Sequence, residues 1–293
     1  MDQAEQLRNI IKKQTLEKKV ARVITVTSGK GGVGKSSISV NLAIELSKLG
    51  NKVIVLDADF GLANIEVMLG IRPQYNIADI MYHGKNIEDI ITPGPVGTSF
   101  ISGGSGIGEL ANVTKEQINS LTKKLYVLDE LADIIIIDTG AGITDSVLEF
   151  VVASSEVLLV TTPEPTSITD AYALLKTLNK KEEFSSLNTK IKLIANRVDS
   201  TGEAKQLFNK LNLVVGKFLD FNIEYLGAVP QDNMVSKAIM QQKPYTMLYP
   251  SSSSSKAIVQ LAQTLCENKG QAISSNKGIA QLFSYLYHSK LKR

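Results

Sequence analysis

The chain has 293 residues, 43 % of them hydrophobic and 21 % charged, with a net charge of +3. That is an ordinary globular balance, long enough for one large α/β domain with tails or two small domains, and too weakly basic to argue for nucleic acid. A single cysteine, Cys266, excludes an intramolecular disulfide or a cysteine-built metal centre within one chain.

The opening residues carry no basic-then-apolar leader, and no run approaches ~18 apolar residues; the expectation is a cytoplasmic protein without a spanning helix. The first twenty residues are polar and helix-prone, with Asp2 placed to cap the first turn. RVITVT, from Arg22 to Thr27, predicts a buried strand. A glycine loop follows, then a helix from Ser37 to Leu49 that stops at Gly50. A second strand, Lys52 to Leu56, runs into Asp57-Ala58-Asp59.

The same pattern recurs downstream. Asp133 to Ile137 leads into Asp138-Thr139-Gly140, Val157 to Thr161 into Pro163, Ile191 to Ala195 into Asn196-Arg197, and Tyr225 to Val229 into Pro230-Gln231-Asp232. Buried strands alternating with helices predict an α/β fold, a mostly parallel sheet covered by helices on both faces. The polar and glycine residues follow the strands' C-terminal ends, the edge at which open α/β sheets bind ligands. The serine run Ser251 to Ser255 reads as a helix start. Residues 268–278 read as a linker and residues 279–293 as a last helix. The expected organisation is therefore a tail over 1–21, a domain over 22–267, the linker, and the terminal helix.

Gly29-Lys30-Gly31-Gly32-Val33-Gly34-Lys35-Ser36 fits the phosphate-binding pattern G-x4-G-K-[ST], with a strand before it and a helix after. Glycines let the backbone turn its N–H groups toward phosphate oxygens, and the helix N-terminus, continuing through Ser37, adds a favourable dipole. Lys35 can neutralise the β- and γ-phosphates, and the Ser36 hydroxyl can hold Mg²⁺.

KGGVGKS, with its additional Lys30, resembles the deviant Walker A loop of the MinD/ParA ATPases of the SIMIBI class of P-loop NTPases. The resemblance implies that Lys30 reaches a partner's nucleotide in an ATP-bound homodimer; a solvated loop lysine is the plainer reading. Asp57 to Asn64 resembles the family's first switch, which implies that Asp59 orients the attacking water and Asp57 helps organise the Mg²⁺ shell. Asp138 to Gly142 resembles its second switch, with Asp138 at the metal and Gly140 offering its N–H to the γ-phosphate. Asn196-Arg197 and Val229-Pro230-Gln231-Asp232 resemble the family's two base-side loops, which favours ATP/ADP over GTP; the Asn-x-x-Asp spacing keeps GTP open, and Pro230 to Asp232 also reads as a plain turn.

The chain ends narrow the resemblance. Asp2-Gln3-Ala4-Glu5-Gln6-Leu7-Arg8 resembles the DQAxxLR motif of the FlhG (FleN/YlxH) branch, which implies activation of the GTPase FlhF. Gly103 to Gly106 and Thr162 to Ser167 are similar to the same branch. Ile279, Leu282, Phe283, Leu286 and Tyr287 share one helix face, followed by Lys290. The resemblance implies that this helix lies reversibly on anionic lipid at the cytoplasmic membrane, while periodicity alone equally allows a core-packing helix. It also implies control of flagellar number or placement and contact with flagellar switch (C-ring) components. Three readings stay open beside this one: a MinD-type division-site regulator, a ParA-type DNA-segregation ATPase for which no specific nucleic-acid surface is expected, and a nucleotide-dependent scaffold that does not hydrolyse.

Overall fold

The computed structural model describes residues 20–59, 64–104, 115–267 and 278–283. The strands are β1 (Arg22–Thr27), β2 (Val53–Ala58), β3 (Thr92–Pro93), β4 (Ser99–Ser102), β5 (Ile134–Thr139), β6 (Glu156–Thr161), β7 (Lys190–Val198) and β8 (Glu224–Pro230). They form one sheet in the order β3-β4-β2-β5-β1-β6-β7-β8. Every pairing is parallel except β3 with β4.

The helices are α1 (Lys35–Lys48), α2 (Asn64–Leu69), α3 (Ile77–Tyr82), α4 (Lys115–Leu131), α5 (Asp145–Ala153), α6 (Pro165–Asn179), α7 (Thr201–Leu219), α8 (Asn233–Met240), α9 (Tyr245–Leu248) and α10 (Ser253–Glu267). A final turn, α11, spans 279–283.

The strands are apolar on both sides because both faces are covered. Ile24, Val26, Ile134 and Ile136 pack with α1 and with Ile258 and Leu261 of α10. The alternate residues Val23, Ile135 and Ile137 pack with Leu121, Leu125 and Leu128 of α4. Farther along that second face, Leu159 and Leu193 pack with Leu174 of α6 and Leu207 of α7. The parallel register sets Asp57 directly beside Asp138 on neighbouring strands. β4 sits inside the sheet although its short SFIS run carries no strong strand signal.

The described part of the terminal segment, residues 279–283, is packed in the core, one of the two arrangements that its apolar stripe allows. Ile279, Leu282 and Phe283 are 0 %, 1 % and 4 % exposed and belong to the core beneath α4. Phe283 meets Phe150 edge-on at 6.0 Å. The Ile279 N–H donates to Asp129 Oδ1 at 3.0 Å, so a carboxylate on α4 caps the turn. The physical reason is that an apolar stripe loses water equally well in a protein groove, where each such side chain contributes roughly 1.5–3 kcal/mol. Leu286, Tyr287 and Lys290 lie outside the described residues, as do Asp2, Gln3, Ala4, Leu7 and Arg8.

Candidate functional site

A cleft of about 610 Å³ opens at the C-terminal edge of the sheet. Its floor is the glycine loop: Gly31, Gly32, Gly34, Lys35, Ser36 and Ser37 line it. One wall carries Asp59. The other carries Asn196 and Arg197, and also Val229, Pro230, Gln231 and Asp232. Four segments far apart in sequence thus converge on one cleft because parallel strands end on one edge.

The loop is built by close approaches. Gly34 is left-handed at φ 101°, and α1 starts immediately after it. A Cβ at Gly29 would sit 2.1 Å from the carbonyl carbon of Asp170. Gly29 is thus a packing glycine against α6, not part of the cleft lining. Val33 is buried, and its carbonyl accepts from Asn196 Nδ2 at 2.7 Å. Asn196 therefore ties the wall opposite Asp59 to the phosphate loop. Arg197 is left-handed at φ 57° and sits at a break in the β7–β8 register.

Lys30 stands apart from the cleft lining. Its Nζ donates to Glu164 Oε2 at 2.7 Å and to Thr166 Oγ1 at 2.8 Å, within the same chain. The Lys30 hydrogen bond and charge, with Arg197 farther off, hold the Glu164 carboxyl below its ordinary value. Glu164 and Thr166 carry no sequence signal for this pairing beyond their place in the Thr162–Ser167 segment.

Beneath the floor lie two carboxylates. Asp57 is pushed up to about 8, by burial first and then by Asp138. Asp138 is pushed up to about 6 by burial, with the Ser36 hydroxyl and the Lys35 charge opposing. Asp138 Oδ1 accepts from Ser39 at 3.0 Å, while Oδ2 is buried without a hydrogen-bond partner. Above them, Asp59 accepts from Asn64 Nδ2 at 3.2 Å, and its Oδ1 would lie 3.4 Å from a Cβ at Gly140. Gly142 N–H donates to the Ser28 carbonyl at 2.9 Å, joining the second switch to the loop.

An orphaned carboxylate oxygen beside a second high-pKa carboxylate is the environment a divalent cation relieves. Among the described residues no group of three His, Cys, Asp or Glu side chains forms a complete metal cage. That suits Mg²⁺, which takes few protein ligands and fills its shell with water and phosphate oxygens. Ser36 and Asp138 fit as holders, with Asp57 adjacent.

The cleft also contains side chains that motif reading passes over: Met68, Val235, Ser236, Ile239 and Tyr245. Val235 and Ile239 stand one turn apart on α8, a spacing that reads as ordinary core. Asp232 lines the cleft and also braces the chain around it. Its carboxylate accepts from Met234 N–H at 2.9 Å and from Ser253 Oγ, Ser254 Oγ and Ser254 N–H at 3.0, 3.0 and 3.2 Å. Burial alone would raise its pKa; these bonds outweigh that and hold it at about 2.

Residues 19–266 match the ParA family profile, described as a NUBPL iron-transfer P-loop NTPase. The chain is 41 % identical over 242 residues to the antiactivator FleN of Pseudomonas aeruginosa, covering 83 % of this chain and 85 % of FleN. It is 37 % identical over 248 residues to the flagellum site-determining protein YlxH of Helicobacter pylori, covering 83 % and 81 %. Among solved structures it resembles the MinC:MinD cell division protein complex of Aquifex aeolicus, with a TM-score of 0.65 and 26 % identity over 84 % of this chain and 96 % of that one.

Proposed function

Because the chain belongs to the ParA family of P-loop NTPases, we propose that it is an ATP-hydrolysing switch that sets flagellar number or placement. The observation that carries the nucleotide half of this reading is the convergence of Lys35, Ser36, Asp59 and Asn196 on one cleft. The names of the two flagellar relatives support the other half. Iron transfer, which the family description mentions, needs thiolate ligands, and this chain has Cys266 alone.

The cleft's geometry supports the following roles. The loop amides and Lys35 bind the phosphates; Ser36, Asp138 and Asp57 hold Mg²⁺, which when bound neutralises charge on the phosphate oxygens. Asp59, fixed by Asn64, orients water beside Gly140. Asn196 spends its amide on Val33, which leaves Oδ1 to accept from the exocyclic amine of adenine, where guanine presents a second acceptor. That supports ATP over GTP. Arg197, Pro230 and Gln231 supply the rest of the base side.

In the ATP state two protomers pair face to face and Lys30 of each completes the other's site. The terminal helix leaves its groove for anionic lipid, and the N-terminal segment over 2–8 acts on the GTPase FlhF. Contact with the flagellar C-ring completes the output. No helix among the described residues is long and apolar enough to cross a membrane, so attachment is peripheral in this reading. A division-site role of the MinD kind would use the same cleft but leaves residues 2–8 without a task.

The test is single-turnover hydrolysis of ATP and GTP by the full chain and by Asp59→Ala, with sedimentation of each in ATP and ADP. ATP-selective hydrolysis lost in Asp59→Ala, with dimers only in ATP, is the expected result. A monomer in both nucleotides, or hydrolysis indifferent to Asp59, would overturn it. Stimulation of FlhF by the full chain but not by a chain lacking residues 1–20 tests the output.

A further inference from the structure

The serine run at the start of α10 reads in the sequence as a mere helix start. The structure gives three of its hydroxyls to the walls of the cleft. Ser253 Oγ and Ser254 Oγ each donate to Asp232 Oδ2 at 3.0 Å, and the Ser254 N–H adds a third bond at 3.2 Å. Ser255 Oγ donates to the Tyr245 carbonyl at 3.2 Å. Asp232 and Tyr245 both line the cleft, on its base side.

The bonds continue to the phosphate end. Thr246, next to Tyr245, donates its N–H and its hydroxyl to Asn41 Oδ1, each at 3.0 Å. Asn41 Nδ2 donates in turn to the Ser37 carbonyl at 2.8 Å, in the first turn of α1. Asn41, Thr246, Ser254 and Ser255 are all at most 2 % exposed. Hydrogen bonds, linked through the Tyr245–Thr246 and Ser254–Ser255 peptide units, thus run from the first turn after the phosphate loop, where they are buried, to Asp232 in the partly exposed loop that also holds Pro230 and Gln231.

We propose that Ser253, Ser254 and Ser255 are positioning residues that hold the base-side wall at a fixed distance from the phosphate loop, and so set affinity and selectivity for the adenine nucleotide. The inference rests on the reading of the cleft as an ATP site. A rigid, hydrogen-bonded support is what a recognition wall needs, because a displacement of about 1 Å is enough to forfeit its contacts. Asp232 acts through Gln231 and Pro230, its own carboxylate being held by Met234, Ser253 and Ser254.

The experiment uses the full-length protein with a fluorescent ADP analogue, displaced by ATP or by GTP. The chains compared are the wild type, a Ser253→Ala/Ser254→Ala double variant, Ser253→Thr, and Ser251→Ala as an exposed control. The double variant should bind ATP about tenfold more weakly and GTP nearly as before, so that the ATP-to-GTP preference collapses; its KM should rise with kcat held. Ser253→Thr, which keeps the hydroxyl at an exposed position, and Ser251→Ala should match the wild type. An unchanged ATP-to-GTP ratio in the double variant overturns the proposal, whether both affinities stay or both fall together with thermal stability. A wild-type chain that binds no adenine nucleotide would overturn the cleft assignment itself, and that failure is visible before any serine is changed.

Discussion

Lys30, on the phosphate loop, and Glu164, 134 positions away in the chain, meet at 2.7 Å. Their side chains are 35 % and 55 % exposed, so the pair sits in water-screened surroundings and is weak. It nevertheless occupies the lysine that the proposed dimer needs. Glu164→Gln should leave the melting temperature nearly unchanged while tightening ATP-dependent dimerisation roughly threefold, the scale of one exposed ion pair. Sedimentation velocity at low and high salt reads this: the variant's advantage should shrink as salt rises. Dimerisation that is weaker in Glu164→Gln would mean that Glu164 assists the lysine instead of detaining it.

Asp129 governs a second contact of this kind. Its carboxyl is pushed up by burial, against the opposing backbone N–H groups of Ile279, Ala280 and Ala21. It therefore caps the terminal turn and also touches the chain just before β1. Asp129→Ala removes one cap, about 1 kcal/mol, which shifts a docked-to-released equilibrium about fivefold. Binding of the ADP-bound protein to anionic vesicles should rise by that factor, with the cleft's nucleotide affinity unaltered. Vesicle binding that does not respond to Asp129→Ala would show that docking and lipid do not compete for Ile279, Leu282 and Phe283.

The contrast between these contacts and the phosphate loop marks what is legible in the sequence. Gly34, Lys35 and Ser36 are readable because their chemistry is local: a strand, a turn and a helix start within a few residues. The strand ends at Asp57, Asp138 and Asn196 are readable because apolar runs announce buried strands, and a parallel sheet delivers all their C-terminal ends to one edge. Lys30–Glu164, Asn196–Val33 and Asp232–Ser254 are not readable, because which donor meets which acceptor depends on side chains from distant segments. The apolar face of Ile279, Leu282 and Phe283 is ambiguous for a different reason: hydrophobic burial is non-directional, so the same stripe suits a groove or a bilayer.

Glu156 shows how the opposite edge of the sheet is locked, and its titration makes a pH prediction. It accepts from Arg22 Nε and Nη2 at 2.7 and 2.8 Å and from Lys192 Nζ at 2.8 Å. Arg22 also donates to the Leu265 carbonyl at 2.6 Å, tying down the end of α10. Burial pushes Glu156 upward, but Arg22 and then Lys192 outweigh it and lower it from 4.5. A carboxylate depressed in the fold contributes stability that is present above its unfolded pKa and is lost as pH falls through the folded one. Glu156→Gln should cost about 3 kcal/mol near neutral pH, since it leaves the buried Lys192 and the half-buried Arg22 without their counter-charge. In urea titrations the gap between wild type and variant should narrow below pH 4.5. A gap that stays constant down to about pH 3 would assign the loss to packing and not to the ion pair.

Gly29 and Gly31 look equivalent in the loop, and the structure separates them. A Cβ at Gly29 would stand 2.1 Å from the Asp170 carbonyl carbon and 2.4 Å from the Ala171 nitrogen. Both are backbone atoms of α6 and cannot swing aside, so the loop itself must move. A Cβ at Gly31 would find only the Ala141 Cβ, at an ordinary 3.9 Å. Gly29→Ala should therefore destabilise the protein by about 1–3 kcal/mol, as overpacking does. It should also cut hydrolysis on the order of 100-fold, the scale of a 1 Å misplacement at a reacting centre. Gly31→Ala should unfold at the wild-type urea midpoint, and any loss it shows should lie in nucleotide affinity, where the phosphate approaches the backbone. Urea unfolding and ATP turnover measured on both variants decide the matter. Gly29→Ala with wild-type stability would mean that α6 yields to the loop, and the close approach at Asp170 would then not be what sets the loop's position.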